Sequence, residues 1–251
     1  MSGERLSEMV TLHQGDCLQV LRTLPDGAFD AVITDPPYGI AFQSAWRTET
    51  ERFDEIANDD TPYVWWLPEA ARVLKPGGCL LCFCRWDTAE AFRLAIGWAG
   101  LKVGAQLIWD RIGHGLGDLT GRPAPRHDTI WFAVNGKYKL PGRRPTSVYQ
   151  QQRLAGGELT HPNEKPVPLM KRLVDDYVPA GGHVLDCFAG SGATLVASAL
   201  EGRRATGIEI SNEYAGLIRS RVAAETARHA VTLFGDLTKS ETPDLFAEGG
   251  R

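Results

Sequence analysis

Asp35-Pro36-Pro37-Tyr38 is the stretch of this chain best equipped for chemistry. Two consecutive prolines fix φ near about −65° and remove two backbone donors, so the loop is rigid and its carbonyl oxygens are left to accept hydrogen bonds. Asp35 adds a carboxylate acceptor, and Tyr38 adds a flat face on which another ring can stack. Acceptors beside a stacking plate suit an exocyclic amino group on a planar base. The plain structural alternative is a Pro-Pro turn capped by Asp. The preceding run, Phe29-Asp30-Ala31-Val32-Ile33-Thr34, reads as a buried strand of a parallel sheet. The tetrapeptide therefore falls at a strand's carboxyl end, where open α/β sheets keep their ligand sites.

A second stretch, His183-Val184-Leu185-Asp186-Cys187-Phe188-Ala189-Gly190-Ser191-Gly192, is an apolar strand entering a glycine turn, followed by helical composition over residues 193–200. Glycines there let backbone approach a ligand at a helix N-terminus. The dinucleotide fingerprint would need Gly or Ala three places after Gly192, and that position is Leu195, which disfavours a nicotinamide cofactor. The next strand, over residues 205–210, carries Glu209 near its end, placed to accept from ribose hydroxyls.

Asp-x-Phe-x-Gly-x-Gly with that Glu resembles an S-adenosylmethionine site, and with Asp-Pro-Pro-Tyr ahead of it the chain resembles the β-group DNA amino-methyltransferases over about residues 10–225. The motif order argues against protein-glutamine and many RNA methyltransferases, which the resemblance keeps only as alternatives alongside a non-catalytic DNA-binding relative. The resemblance implies a Rossmann-like α/β methyltransferase fold, mostly parallel with one antiparallel strand and with permuted motif order. It implies Asp35, Pro36, Pro37 and Tyr38 as catalytic residues, and Asp16, Cys17, Asp35, Lys165, Asp186, Phe188, Gly190, Gly192 and Glu209 around the cofactor. Asp16 would contact the cofactor's adenine amino group, with capping of the helix from Cys17 as its structural alternative. Lys165, in Thr160-His161-Pro162-Asn163-Glu164-Lys165-Pro166, belongs to a segment that lines the methionine end in such enzymes. Asp at the head of the catalytic motif leans towards N6-adenine, with N4-cytosine as the alternative. The expected partner is double-stranded DNA, and a homodimer is expected because the small chain has no separate recognition domain.

Composition bounds the rest. The 251 residues are 43% hydrophobic, enough for a core without staples, and the motifs at both ends share one site, so a single domain is expected. Five cysteines include Cys79, Cys82 and Cys84 in one apolar run with no matching second cluster, which points to buried strand cysteines, no metal and a cytoplasmic protein. No long apolar run suggests a membrane span. Net charge is −4, yet residues 111–153 carry eight basic and two acidic residues, a local +6. Arg111, Arg122, Arg126, Arg143 and Arg144 are therefore the candidate DNA-binding residues, since phosphate binding needs a basic face rather than a basic protein.

The remaining elements must position these groups. The pattern predicts a strand over residues 10–13, a helix over 17–24, and a loop-rich, DNA-facing segment over 39–60. A helix opened by Pro62 should run to residue 74 and stop at Lys75-Pro76-Gly77-Gly78. A buried strand over 79–84, a helix over 89–98 and two strands over 103–109 and 129–134 follow, the last two joined by a Gly- and Arg-rich connection. Residues 139–159 show no regular period, and 111–160 is taken as the second DNA-facing insertion. A helix leads on from Pro166 to residue 177 and another covers 211–227, with Gly235-Asp236 as a turn and 236–251 as an acidic tail.

Overall fold

The computed structural model describes residues 3–38, 62–113, 120–121, 123–154 and 164–239, with side chains through residue 225. The expected segment at 39–60, together with Arg122, Asn163 and the tail beyond residue 239, lies outside the described residues. The strands are β1 (Glu4–Arg5), β2 (Val10–Gln14), β3 (Phe29–Thr34), β4 (Leu74–Cys84), β5 (Lys102–Asp110), β6 (His127–Val134), β7 (Val148–Gln150), β8 (His183–Asp186) and β9 (Arg204–Glu209). The helices are α1 (Cys17–Leu21), α2 (Leu67–Val73), α3 (Ala89–Trp98), α4 (Val167–Tyr177), α5 (Ala193–Leu200) and α6 (Asn212–Lys239).

These strands form one sheet in the order β1-β2-β9-β8-β3-β4-β6-β5-β7. The stretch from β2 to β4 is parallel, β6 runs antiparallel to both its neighbours, and β1 adds an antiparallel edge. β2 and β3 are consecutive in sequence but have β9 and β8 between them. The C-terminal half of the chain thus fills the gap left by the N-terminal half, which is the permuted arrangement that the motif order implies. β8 connects through α5 to β9 on one side, whereas β3 connects through α2 to β4 on the other. Between β8 and β3 the winding reverses, and a crevice opens at the carboxyl ends of such a strand pair.

Central strands are apolar on both faces because both faces are covered. Val32, Leu80, Cys82 and Cys84 pack with Val20, Leu21, Leu67, Ala70, Phe92 and Ile96 of α1, α2 and α3. Ala31, Ile33, Leu81 and Phe83 pack with Leu169, Leu173, Val174, Ala193 and Ala197 of α4 and α5. The three cysteines of β4 are thiols inside this core, and burial pushes Cys79 up to about 12.

Several elements differ from the sequence reading. α2 begins at Leu67 rather than near Pro62, and the proline in its first turn is Pro68. Lys75-Pro76-Gly77-Gly78 does not separate helix from strand. It lies within β4 as a bulge, since register passes from Phe29↔Leu74 to Ala31↔Cys79, and Lys75 Nζ binds both oxygens of Asp30 at 2.9 and 2.8 Å. The aperiodic 139–159 segment supplies β7, parallel to β5, because Tyr149 is buried there with its hydroxyl donating to Asp176 at 2.7 Å. α6 continues past residue 227 to Lys239, so Gly235-Asp236 is helical rather than a turn, and the expected tail begins inside a helix.

At the reversal, Thr34 fastens the two halves. Its hydroxyl donates to Asp186 Oδ1 at 2.7 Å and accepts the Cys187 N–H at 3.1 Å, all of it buried. Thr34→Val keeps the shape but takes one hydrogen bond from the buried Asp186 carboxylate and the Thr34 partner from the buried Cys187 N–H, which should cost about 1–3 kcal/mol. Urea unfolding should show a lower midpoint with unchanged slope; an unchanged midpoint would deny the clasp its weight.

Candidate active site

The carboxyl ends of β3 and β8 open onto a cavity of about 390 Å³. Asp16, Cys17, Asp35, Pro36, Pro37, Tyr38, Lys165, Asp186, Phe188, Gly190 and Glu209 all line it, although they come from positions as far apart as 16 and 209. Gly192 is not among its lining residues. It sits at the N-cap of α5 with φ +80°, where a Cβ would come within 3.2 Å of Ile218, so its glycine serves the turn beneath the cavity. Tyr63, Phe83, Glu164, Met170, Ser191 and Tyr214 also line the cavity and were missed by the sequence reading. Glu164, inside the segment singled out for Lys165, and Ser191, inside the glycine turn, had a signal that could have found them.

One end is built around Glu209. Its Oε2 accepts the Gly190 N–H and its Oε1 the Ser211 N–H, each at 2.8 Å. Burial raises its pKa, and these two donors oppose the rise. A carboxylate holding the Gly190 amide makes this turn a poor cradle for phosphate, which would need that amide for itself. What remains is a fixed acidic acceptor suited to hydroxyl groups. Phe188 lines the same cavity and packs edge-on with Trp66 and Tyr63, at 5.4 and 6.0 Å between ring centroids. Asp16 caps α1, accepting the Gln19 N–H at 3.0 Å, while still lining the cavity. Capping and ligand contact are compatible, because a carboxylate has more than one acceptor position.

The other end is built around Asp35. Lys165 Nζ pairs with Oδ2, and the Tyr38 hydroxyl donates to Oδ1. Burial raises the Asp35 pKa, against the lowering effect of the Lys165 cation and of both hydrogen bonds. Burial first, then the Asp35 charge, holds the Tyr38 hydroxyl well above its ordinary value, so it stays a donor. The Pro37 carbonyl accepts the Tyr63 N–H at 3.3 Å, tying the Asp35-to-Tyr38 loop to the cavity wall.

The basic residues separate into two places. Arg111 follows β5 and Arg126 precedes β6, both at the carboxyl end of the sheet. Arg126 makes a two-pronged pair with Asp110 at 2.7 and 2.9 Å, and Arg111 lies 3.8 Å from Asp128. Arg143 and Arg144 are exposed beside Asp175 and Asp176 at the C-terminal turn of α4, towards the amino ends of the strands. They do not stand with Arg111 and Arg126.

Residues 29–220 match the profile of a family described as DNA methylase, of the N6/N4 type. The chain belongs to the N6/N4 DNA methylase family. YubD of Escherichia coli (strain K12), a protein named as a methylase, is 34% identical over 215 residues, covering 84% of this chain and 89% of that one. TTHA0409 of Thermus thermophilus, named as a DNA modification methylase and solved in complex with S-adenosyl-L-methionine, aligns with a TM-score of 0.62 at 25% identity, covering 85% of this chain and 95% of that one. The PvuII DNA methyltransferase, named as cytosine-N4-specific, aligns with a TM-score of 0.68 at 16% identity, covering 89% and 93%, which speaks for the fold alone. The permuted α/β methyltransferase fold and the N6/N4 family expected from the motifs are both found.

This DNA methylase keeps a buried carboxylate, Asp186, beneath the cavity, and burial raises it to about 6 despite hydrogen bonds from Thr194, Thr34 and the Phe188 N–H. Between its ordinary value of 3.8 and about 6, the folded chain holds a proton that the unfolded chain has released. The contribution of this group is therefore complete at low pH and lost as pH rises through about 6. Stability measured against Asp186→Asn should shift in favour of the variant by about 2–3 kcal/mol from pH 4 to pH 7. Parallel stability profiles would show that Asp186 titrates normally.

Proposed function

We propose that this DNA methylase transfers a methyl group from S-adenosylmethionine to the N6 amino group of adenine in duplex DNA. The single observation that carries the reading is that Asp35 and Glu209, brought from opposite halves of the chain, face one cavity. The cavity is of the size of small-ligand sites, which span about 300–1,000 Å³. Its fixed acceptors suit the cofactor: Glu209 for ribose hydroxyls, Asp16 for the adenine amino group, and the Phe188 face beside the methionine portion. Gly190 and Cys17 bring backbone close to it, and Asp186 braces the turn. Bound there, S-adenosylmethionine supplies an electrophilic methyl on a sulfonium.

The chain's own residues do the rest. The target amino group lies within the duplex, so the base must leave the stack to be reached, as is general for DNA methyltransferases. Tyr38 supplies the stacking face, worth about 1–3 kcal/mol against the cost of unstacking. Asp35 and the Pro36 carbonyl accept the two amino hydrogens. That draws the nitrogen lone pair out of conjugation with the ring and aims it at the methyl group, with no covalent enzyme intermediate, and the proton the nitrogen sheds on methylation passes to the Asp35 carboxylate or to water. The contribution is orientation and acceptors rather than nucleophilic chemistry. Arg111 and Arg126, at the site's end of the sheet, support a DNA path across the carboxyl edges of β5 and β6. Arg143 and Arg144, at the other end, would meet DNA only along a longer track or through a second subunit.

Adenine is favoured over cytosine by the Asp at the head of the motif. Unmethylated duplex DNA incubated with the protein and S-adenosylmethionine should yield N6-methyladenine on nucleoside mass spectrometry. N4-methylcytosine would keep the mechanism and change the base, and methylation of RNA or protein alone would overturn the reading.

A further inference from the structure

Lys165 came into the site through its sequence segment as a residue expected at the methionine end of the cofactor. The structure gives it other company. Its ammonium pairs with Asp35 Oδ2, stands 3.5 Å from the Tyr38 hydroxyl, and lies 5.1 Å from the centroid of the Phe83 ring. The side chain is 9% exposed. Taking an ammonium this far from water is costly, and an anionic partner is what offsets that cost. The position is also braced from behind. The neighbouring Glu164 carboxylate pairs with Arg221 of α6, whose guanidinium also donates to the Ser191 carbonyl at 3.1 Å. Lys165 is thus delivered from the start of α4 by an ion pair that ties this segment to α6 and to the glycine turn.

We propose that Lys165 is a positioning residue for the methyl transfer, holding Asp35 ionised and fixing the orientation in which its carboxylate meets the base. This deepens the function proposed above and rests on it. Lys165 takes one acceptor position on Oδ2 and the Tyr38 hydroxyl takes one on Oδ1, so the carboxylate is held by both oxygens and keeps further lone pairs for the target amino group. The Tyr38 hydroxyl, donating to the same carboxylate, helps to fix that orientation. Without the cation, burial would leave Asp35 protonated over more of the working pH range, and a protonated carboxyl has a lone pair fewer to offer the amino hydrogens. The groups that face Asp35 agree on the need for a cation. Tyr38 lies on its own loop, Cys84 and Cys82 on β4, Asp128 on β6 and Asp186 on β8. Among them Asp128 and Asp186 are further acids, and Arg111 stands on Asp128 rather than on Asp35.

The test is the pH dependence of methyl transfer in wild type, Lys165→Met and Lys165→Arg, with Asp35 titrated directly by carbon NMR on aspartate-labelled protein and assigned with Asp35→Asn. Transfer requires ionised Asp35, so the acid limb follows its midpoint. In Lys165→Met both should move up by about one unit or more, which at a pH below the midpoint is about a tenfold further loss of rate. Lys165→Arg should restore both. Lys165→Gln, which keeps a donor without the charge, serves the same purpose where the apolar side chain is poorly tolerated. An acid limb and an Asp35 midpoint that stay in place, including a loss of rate equal at every pH, would overturn the role of Lys165 while leaving the methyltransferase reading intact. A wild type that transfers no methyl group to DNA would instead remove the reading on which the inference rests.

Discussion

The structure depends on the parallel pairing of β3 with β8. These strands come from opposite halves of the chain, and their register sets Ala31 against Val184 and Val32 against Leu185. Two residues further on, Thr34 hydrogen-bonds to Asp186 and Cys187, and beyond that clasp the two chain segments diverge to opposite walls of the cavity. Both walls owe their positions to that pairing. A slip of two residues would keep every side chain on its proper face, so the apolar pattern alone does not forbid it. The polar clasp does, because it leaves buried groups unsatisfied in any other register.

From that point the site divides by electrostatics. Besides Glu164, which pairs with Arg221, the carboxylates Asp16, Asp35, Asp186 and Glu209 line one cavity, and each is held differently. Asp16 caps a helix, Glu209 is held by two backbone N–H groups, Asp186 is clasped by hydroxyls and an amide, and Asp35 pairs with an ammonium. Burial raises Asp35, Asp186 and Glu209, and their neighbours decide how far. Such crowding of acids costs stability and is typical of functional sites, where charge is kept for a ligand rather than for the fold. Here the acids line one cavity together with the Tyr38 and Phe188 rings, which suits a long ligand with amino and hydroxyl groups meeting a second planar group.

Much of this was legible in the sequence because the informative features are local. Asp35 to Tyr38 and Phe188 to Gly190 are contiguous, the buried strands before them are continuous apolar runs, and the motif order carries the permutation. The elements that were misread depend on distant partners. β7 exists because Tyr149 finds Asp176 on α4 and Ile108 accepts the pairing, neither of which is a property of residues 139–159. The Pro76-Gly77 stretch reads as a chain stop in isolation, but in the sheet it is a bulge that lets Lys75 reach Asp30. Local charge counting grouped Arg111, Arg126, Arg143 and Arg144 as one basic face, whereas the fold carries the last two to the far end of α4. Lys165 was found through its segment, but its partner, 130 positions away, could come only from the fold.

The central claim is that Asp35 accepts the hydrogens of the target amino group and is not needed to hold the cofactor. The most direct measurement is single-turnover methyl transfer to duplex DNA by Asp35→Ala, with the S-adenosylmethionine dissociation constant determined on the same preparation. The account predicts a dissociation constant within about twofold of wild type and a transfer rate at least about a hundredfold lower, the scale of losing one well-placed electrostatic contact in a transition state. Transfer at the wild-type rate would contradict it.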